Sequence, residues 1–119
     1  IVQYLILKKT RVWPGMWSSP GGTIEKGEIS EVCALRELFE ETGLIVSLDH
    51  LEFPKKFSIR NKWGEYLLYA YLIRFAEKPE IFLNEEHSAF AWLAPCHVRV
   101  YELIPGGEQV LKIYEELCK

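Results

Sequence analysis

Cysteine is scarce. Cys33, Cys96 and Cys118 are odd in number, widely spaced and never in a C-x-x-C pair, which argues against a disulfide framework or a cysteine-based zinc site and favours a reducing compartment, the cytoplasm by default. Basic blocks are lacking too: none exceeds the pairs Lys8-Lys9 and Lys55-Lys56, and the net charge is only −3. Nothing resembles an electrostatic footprint for duplex nucleic acid. No apolar run reaches the length of a membrane span, because Ile1–Leu7 is interrupted by Gln3 and ends in Lys-Lys, and nothing in these residues reads as a secretory signal, so none is expected. Repeats, low-complexity tracts and interdomain linkers are missing. So is an initiator Met: the chain opens inside an apolar run, and a few preceding residues are expected.

What is present suits one compact domain spanning residues 1–119. Hydrophobic residues make up 49% and aromatics 13% of 119 residues, enough for a single core without disulfide support. Ile1 to Leu7 reads as a buried strand running into Lys8-Lys9-Thr10-Arg11. Residues 10–22, with Trp13-Pro14-Gly15, Pro20 and Gly21-Gly22, have no helical period and read as a long loop, a feature that is usually functional in a small domain. Strong helix formers from Glu28 to Thr42, closed by Gly43, predict a helix. Leu44–Ser47, Phe53–Arg60, Glu65–Phe75 and Ala89–Leu93 read as strands, with residues 60–64 as a hairpin loop. Glu108 to Cys118 places Val110, Leu111, Ile113, Tyr114 and Leu117 at amphipathic helical spacing. The order β, loop, α, β-hairpin, β, α predicts an α/β fold, an α/β/α sandwich with a mixed sheet between helices.

At about 100° per residue, Val32, Ala34, Leu35, Leu38 and Phe39 share one arc of the first helix and are expected to face the core. Arg36, Glu37, Glu40 and Glu41 share the other. Glu37, Glu40 and Glu41 stand at i, i+3 and i+4, so three carboxylates crowd one turn. Such a cluster costs stability unless cations neutralise it, and hard divalent ions such as magnesium or manganese are its natural partners. The plainer alternative is a solvated acidic face. Upstream, Pro20-Gly21-Gly22 offers backbone that can approach a ligand closely, and the eight-residue spacing of Glu28 and Arg36 lets an ion pair tie the helix start to its middle.

Gly22-x5-Glu28-x7-Arg36-Glu37-Leu38-x-Glu40-Glu41-x-Gly43-Leu44 resembles a complete Nudix box, with every fixed position filled. At ordinary residue frequencies such a match arises by chance on the order of one time in ten million. The resemblance extends more loosely through Pro14-Gly15-x-Trp17 and Pro20-Gly21-Gly22 before the box, and through Glu86-His87 and Trp92 after it.

The resemblance implies a hydrolase that uses divalent metal, Mg2+ with Mn2+ as a substitute, to cut a phosphoanhydride bond in a nucleoside diphosphate-linked compound. Glu40 and Glu41 would bind metal, Glu37 would add a ligand or act as general base, and the Gly21 carbonyl would be a backbone ligand. Arg36 and Glu28 would support the helix and Glu37. A further carboxylate before the last strand often completes the shell or acts as base in this family; Glu86 fits best, with Glu85 its rival. His87 reads as a structural hydrogen-bonder, since the implied metals prefer oxygen.

Trp13, Trp17, Phe57, Trp63 and Tyr66 are candidates for base stacking, and Lys8, Arg11, Lys55, Lys56 and Arg60 for phosphate contacts; core packing and solvated surface are the default readings of each set. The arrays that mark the NADH-cleaving and coenzyme A branches are missing. The proline of ADP-ribose-cleaving relatives has no match, position 59 being Ile59 and the nearest proline Pro54, and Tyr66 lies far along for the tyrosine of dinucleoside-polyphosphate hydrolases. What remains resembles the minimal branch acting on nucleoside triphosphates or related pyrophosphates. Dinucleoside-polyphosphate or ADP-ribose cleavage, a non-catalytic nucleotide sensor, and isoprenoid diphosphate isomerisation stay as alternatives; the intact box counts against the last two. The partner is a small nucleotide, with a homodimer as the default assembly.

Overall fold

The computed structural model of the protein describes residues 2–117. Ile1 and Cys118, parts of the expected first strand and last helix, lie outside the described residues. The chain divides into two compact units, residues 1–20 with 83–119 and residues 21–82.

In the first unit, β1 (Tyr4–Lys9) pairs antiparallel with β2 (Trp17–Ser18) on one side and β5 (His87–Leu93) on the other. Tyr4, Ile6 and Leu7 of β1 are buried, as its aliphatic composition predicts. Register runs from Tyr4↔Leu93 to Lys8↔Ala89 and then shifts, bringing Lys9 opposite His87. Two helices follow, the single turn α2 (Pro95–Val98) and the longer α3 (Gly107–Leu117). Tyr4, Ile6, Val98 and Leu111 form the core, with Trp17, Tyr101 and Tyr114 packed on it. Between β1 and α3 a gap of about 20 Å³, lined by Tyr4, Ile6, Leu103, Leu111 and Tyr114, has room for little more than one water. It has no carboxylate and is a packing defect.

In the second unit, α1 (Ser30–Thr42) precedes the antiparallel hairpin of β3 (Glu52–Asn61) and β4 (Gly64–Leu72). Gly43 ends α1 as expected: at φ 77° it is left-handed, and its N–H donates to the Phe39 carbonyl at 2.8 Å. The hairpin turns at Lys62-Trp63, where the Asn61 side chain accepts the Trp63 N–H at 2.9 Å. Pro54, which has no N–H to give a ladder, sits where the β3 register shifts between Glu52 and Lys55. On this hairpin Ile59, Ala70 and Leu72 are buried.

The α/β class is the one expected, and all ladders among the described residues are antiparallel, with one parallel bridge between Trp17 and Leu103. Two local expectations fail. Leu44–Ser47 forms no strand and leads into a short 3-10 turn at Leu48–His50. The long loop before Gly22 contains β2. No helix among the described residues is long and apolar enough to cross a membrane.

Candidate active site

The buried side of α1 differs from the one its apolar residues predict. Val32 and Phe39 are 43% and 53% exposed, whereas Glu37 and Glu41 are 9% and 2% exposed and lie inward with Cys33, Leu38 and Thr42. A carboxylate tolerates such burial only when other groups answer its charge. Three consecutive residues of the glycine loop, laid against the helix, supply part of that answer. The Gly21 N–H donates to Glu41 Oε1 at 2.8 Å. Gly22 lies so close to Glu37 that a Cβ there would stand 2.3 Å from the carboxyl carbon. The Thr23 carbonyl accepts from Arg36 Nη2 at 3.2 Å.

Arg36 is the hub. It grips Glu28 with two bonds, Nε to Oε2 at 2.7 Å and Nη2 to Oε1 at 3.0 Å, and reaches Glu37 Oε1 through Nη1 at 2.8 Å. Glu40 is a looser partner at 3.3 Å, and Glu25 stands at 3.7 Å. The fork on Glu28 is the planar, bidentate arrangement a guanidinium favours. Hydrogen bonding from Arg36, then from the Glu25 N–H, lowers the Glu28 pKa to about 2. The Arg36 guanidinium is raised well above its ordinary value, chiefly by Glu28. Burial, followed by the charge of Glu28, pushes the Cys33 thiol up to about 11, so Cys33 packs as a neutral thiol rather than a nucleophile.

One guanidinium therefore faces four carboxylates, Glu25, Glu28, Glu37 and Glu40, and Glu41 adds a fifth within one helical turn of Glu37. Arg36 by itself does not balance them. Carboxylate oxygens from two buried side chains beside a loop with no side chain in the way are donors that suit a hard divalent cation, so the residues present fit Mg2+ or Mn2+. Glu37 and Glu41 are the inward members of the trio, and Glu40 is the exposed one.

Helix entry is fixed by a contact with no local sequence signal. The Ser30 and Tyr71 hydroxyls, 2.6 Å apart, both donate to Glu31 Oε1, at 2.5 and 2.8 Å. These bonds lower the Glu31 pKa, Ser30 contributing most. At the other end, Thr42 Oγ1 donates to the Leu38 carbonyl at 2.6 Å and accepts the Leu44 N–H at 3.2 Å.

Glu86 lies in the other unit, on the turn before β5, with its side chain exposed. Its N–H donates to Asn84 Oδ1 at 3.0 Å, and its carbonyl accepts the Thr10 N–H at 3.0 Å. Neighbouring Glu85 is held by Arg11 at 3.5 Å; no ion pair engages the Glu86 carboxylate among the described residues. His87, expected as a structural hydrogen-bonder, is 4% exposed, and its Nδ1 has no hydrogen-bond partner among the described residues. Burial, followed by the charge of Lys9, lowers its pKa.

Of the stacking candidates, Trp17 is half-buried and edge-on to Tyr101 at 5.0 Å, a core contact. Trp63 stands exposed at the hairpin tip beneath Lys62, 4.6 Å from its ring centre. Trp13 is half-buried at φ 55°, the one positive φ among the described non-glycine residues, and Tyr66 is exposed. The Phe57 side chain is outside the described residues. Of the basic candidates, Arg60 pairs with Glu65 and Lys56 lies over Tyr69.

A NUDIX domain family model matches residues 3–116. A nucleoside triphosphatase NudI from Escherichia fergusonii is 31% identical over 110 residues, 86% of this chain and 78% of that protein. Among solved structures, the NUDIX domain of Shewanella oneidensis NrtR complexed with ADP ribose superposes with a TM-score of 0.81 at 20% identity, covering 98% of this chain and 78% of the other. A bifunctional NMN adenylyltransferase/ADP ribose pyrophosphatase from Francisella tularensis, complexed with AMP and a manganese ion, gives 0.81 at 22% identity, over 100% of this chain and 39% of that one. An α/β fold whose first helix buries carboxylates against a glycine loop defines a class of pyrophosphohydrolases. The chain belongs to that class, the Nudix family.

Proposed function

We propose that this protein hydrolyses a phosphoanhydride bond in a nucleoside triphosphate or a related nucleoside diphosphate-linked pyrophosphate, using Mg2+ with Mn2+ as a substitute. The observation that carries this reading is the burial of Glu37 and Glu41 beside Gly21 and Gly22, with Arg36 unable to balance the carboxylates around it. The likeness to a nucleoside triphosphatase over most of both chains supports the substrate class.

A bound divalent cation lowers the pKa of water and neutralises phosphate oxygens. In this reading Glu37, Glu40 and Glu41, with the Gly21 carbonyl, hold the metal. Glu37 is kept in one orientation by Arg36, which Glu28 in turn fixes. Glu86 would serve as a further carboxylate ligand or accept the proton of the attacking water; it is favoured over Glu85 because Arg11 occupies the latter. Water attacks a phosphorus of the di- or triphosphate, and a nucleoside monophosphate leaves with pyrophosphate or another phosphorylated product.

The test is a panel of nucleoside triphosphates, dinucleoside polyphosphates and ADP-ribose, each with Mg2+ or Mn2+, followed by release of phosphate, pyrophosphate and monophosphate. Turnover of a triphosphate to monophosphate and pyrophosphate is expected. Binding without turnover across the panel would replace the enzyme with a nucleotide sensor.

A further inference from the structure

His87 opens β5 opposite Lys9, where the β1 register shifts, and its ring is almost wholly enclosed. A buried imidazole nitrogen normally finds a donor or an acceptor, because leaving it without one forfeits its hydration for nothing in return. His87 Nδ1 finds none among the described residues. Beside it, a carboxylate oxygen of Glu86 lies within 4.8 Å of a His87 ring nitrogen. Metal–ligand distances of about 2 Å put two ligands of one ion about 4 Å apart at most, so within that separation the exposed Glu86 side chain needs at most a small movement to share an ion with the ring. The Glu86 carboxylate has no ion pair to compete for it among the described residues, whereas Glu85 does.

We propose that His87 Nδ1 is a metal-ligand atom which, with the Glu86 carboxylate, takes a divalent cation. The inference rests on the reading of the protein as a metal-dependent hydrolase. A neutral imidazole beside a carboxylate suits Fe2+, Ni2+ and Zn2+ better than Mg2+, and Mn2+, although it prefers oxygen, is the paramagnetic probe of the same atoms. An ordered water would satisfy Nδ1 equally well as a hydrogen-bond partner. The nearby Glu86 carboxylate, with no ion pair among the described residues, favours the ion.

Histidine occurs three times in the chain, and the other two, His50 and His97, are exposed. A tag-free His50→Gln/His97→Gln variant therefore keeps His87 as its sole imidazole. Mn2+ alone is added, and its uptake is followed by continuous-wave electron paramagnetic resonance. Pulsed electron spin-echo modulation is then recorded on protein containing ordinary or 15N-labelled histidine. The expected result is bound Mn2+ with nitrogen modulation from a directly coordinated imidazole, changed by the 15N label. Bound Mn2+ with no histidine modulation, only oxygen ligands and water, overturns the role of His87 and leaves the hydrolase reading standing. Failure to bind Mn2+ at all overturns both.

Discussion

Gly22 and Glu37 are in such close approach that a methyl group on the glycine would stand 2.3 Å from the Glu37 carboxyl carbon. Neighbouring contacts, Gly21 to Glu41 and Thr23 to Arg36, pin the loop on both sides, so Glu37 is the part that has to yield.

Gly22→Ala is therefore expected to fold with a modest loss of thermal stability, because the obstructing carboxylate must shift within its bond to Arg36 while the backbone stays in place. Turnover should fall on the order of a hundredfold, the usual consequence of a misplacement of about 1 Å in a reacting constellation. Steady-state kinetics beside a melting curve check this. Wild-type turnover would mean that the Glu37 carboxylate has no fixed place in the chemistry.

Much of this architecture is legible from residue order. The Gly43 cap, the turn at residues 61–64 and the last helix follow from local chemistry that tertiary packing had no reason to override. Leu44–Ser47 misleads because β-branched and apolar residues favour a strand only where another strand can pair; there the Leu44 N–H is taken by Thr42 and Ile45 is largely exposed. The buried side of α1 misleads for a related reason. Periodicity assigns carboxylates to solvent, and only the Arg36 hub and the glycine loop, brought in by the fold, make it reasonable to bury Glu37 and Glu41 and leave Phe39 outside. The Nudix box carries those residues as a pattern without revealing which way they point. Tyr71 and Ser30, 41 positions apart, have no pattern at all.

Acid stability offers a second check. Pairing with Arg36 lowers the Glu28 pKa from 4.5 to about 2, so the folded state favours the charged form more than the unfolded chain does. Stability from this pair is full above pH 4.5 and is lost as the pH falls from there towards about 2. In urea titrations across that window, wild type should lose stability through Glu28, whereas Glu28→Gln should start lower at neutral pH and decline less. Parallel declines in the two proteins would show that the pair is not linked to folding.

The Ser30–Glu31–Tyr71 cluster ties the start of α1 to β4. Tyr71→Phe removes one hydroxyl bonded to a carboxylate at a partly buried position, which should destabilise the fold by about 1 kcal/mol. Chemical denaturation measures it. Since the hydroxyl contacts of Tyr71 are with the helix entry and not with the site carboxylates, kcat at saturating substrate should stay within about twofold. A large loss of kcat with no loss of stability would give Tyr71 a place in the reaction.

Glu41 gives the sharpest separation of stability from chemistry. Its carboxylate is 2% exposed and accepts the Gly21 N–H, and Gln at that position retains a carbonyl oxygen for the same bond while removing a buried negative charge. Without metal, Glu41→Gln should therefore unfold at the same temperature as wild type or higher, since one repulsive term with Glu37 disappears. With metal the order reverses: wild type gains stability that rises with the logarithm of the free cation concentration above its Kd, and the variant gains less. Turnover should drop by at least about a hundredfold, because the charge that is lost would act on the bound cation and through it on the phosphate oxygens. Calorimetry with and without Mn2+, set beside kinetics at saturating metal, tests all three statements. Equal metal-induced stabilisation in the two proteins, or undiminished turnover in the variant, would remove Glu41 from the metal site and make its burial a matter of packing and hydrogen bonding, the Gly21 contact included.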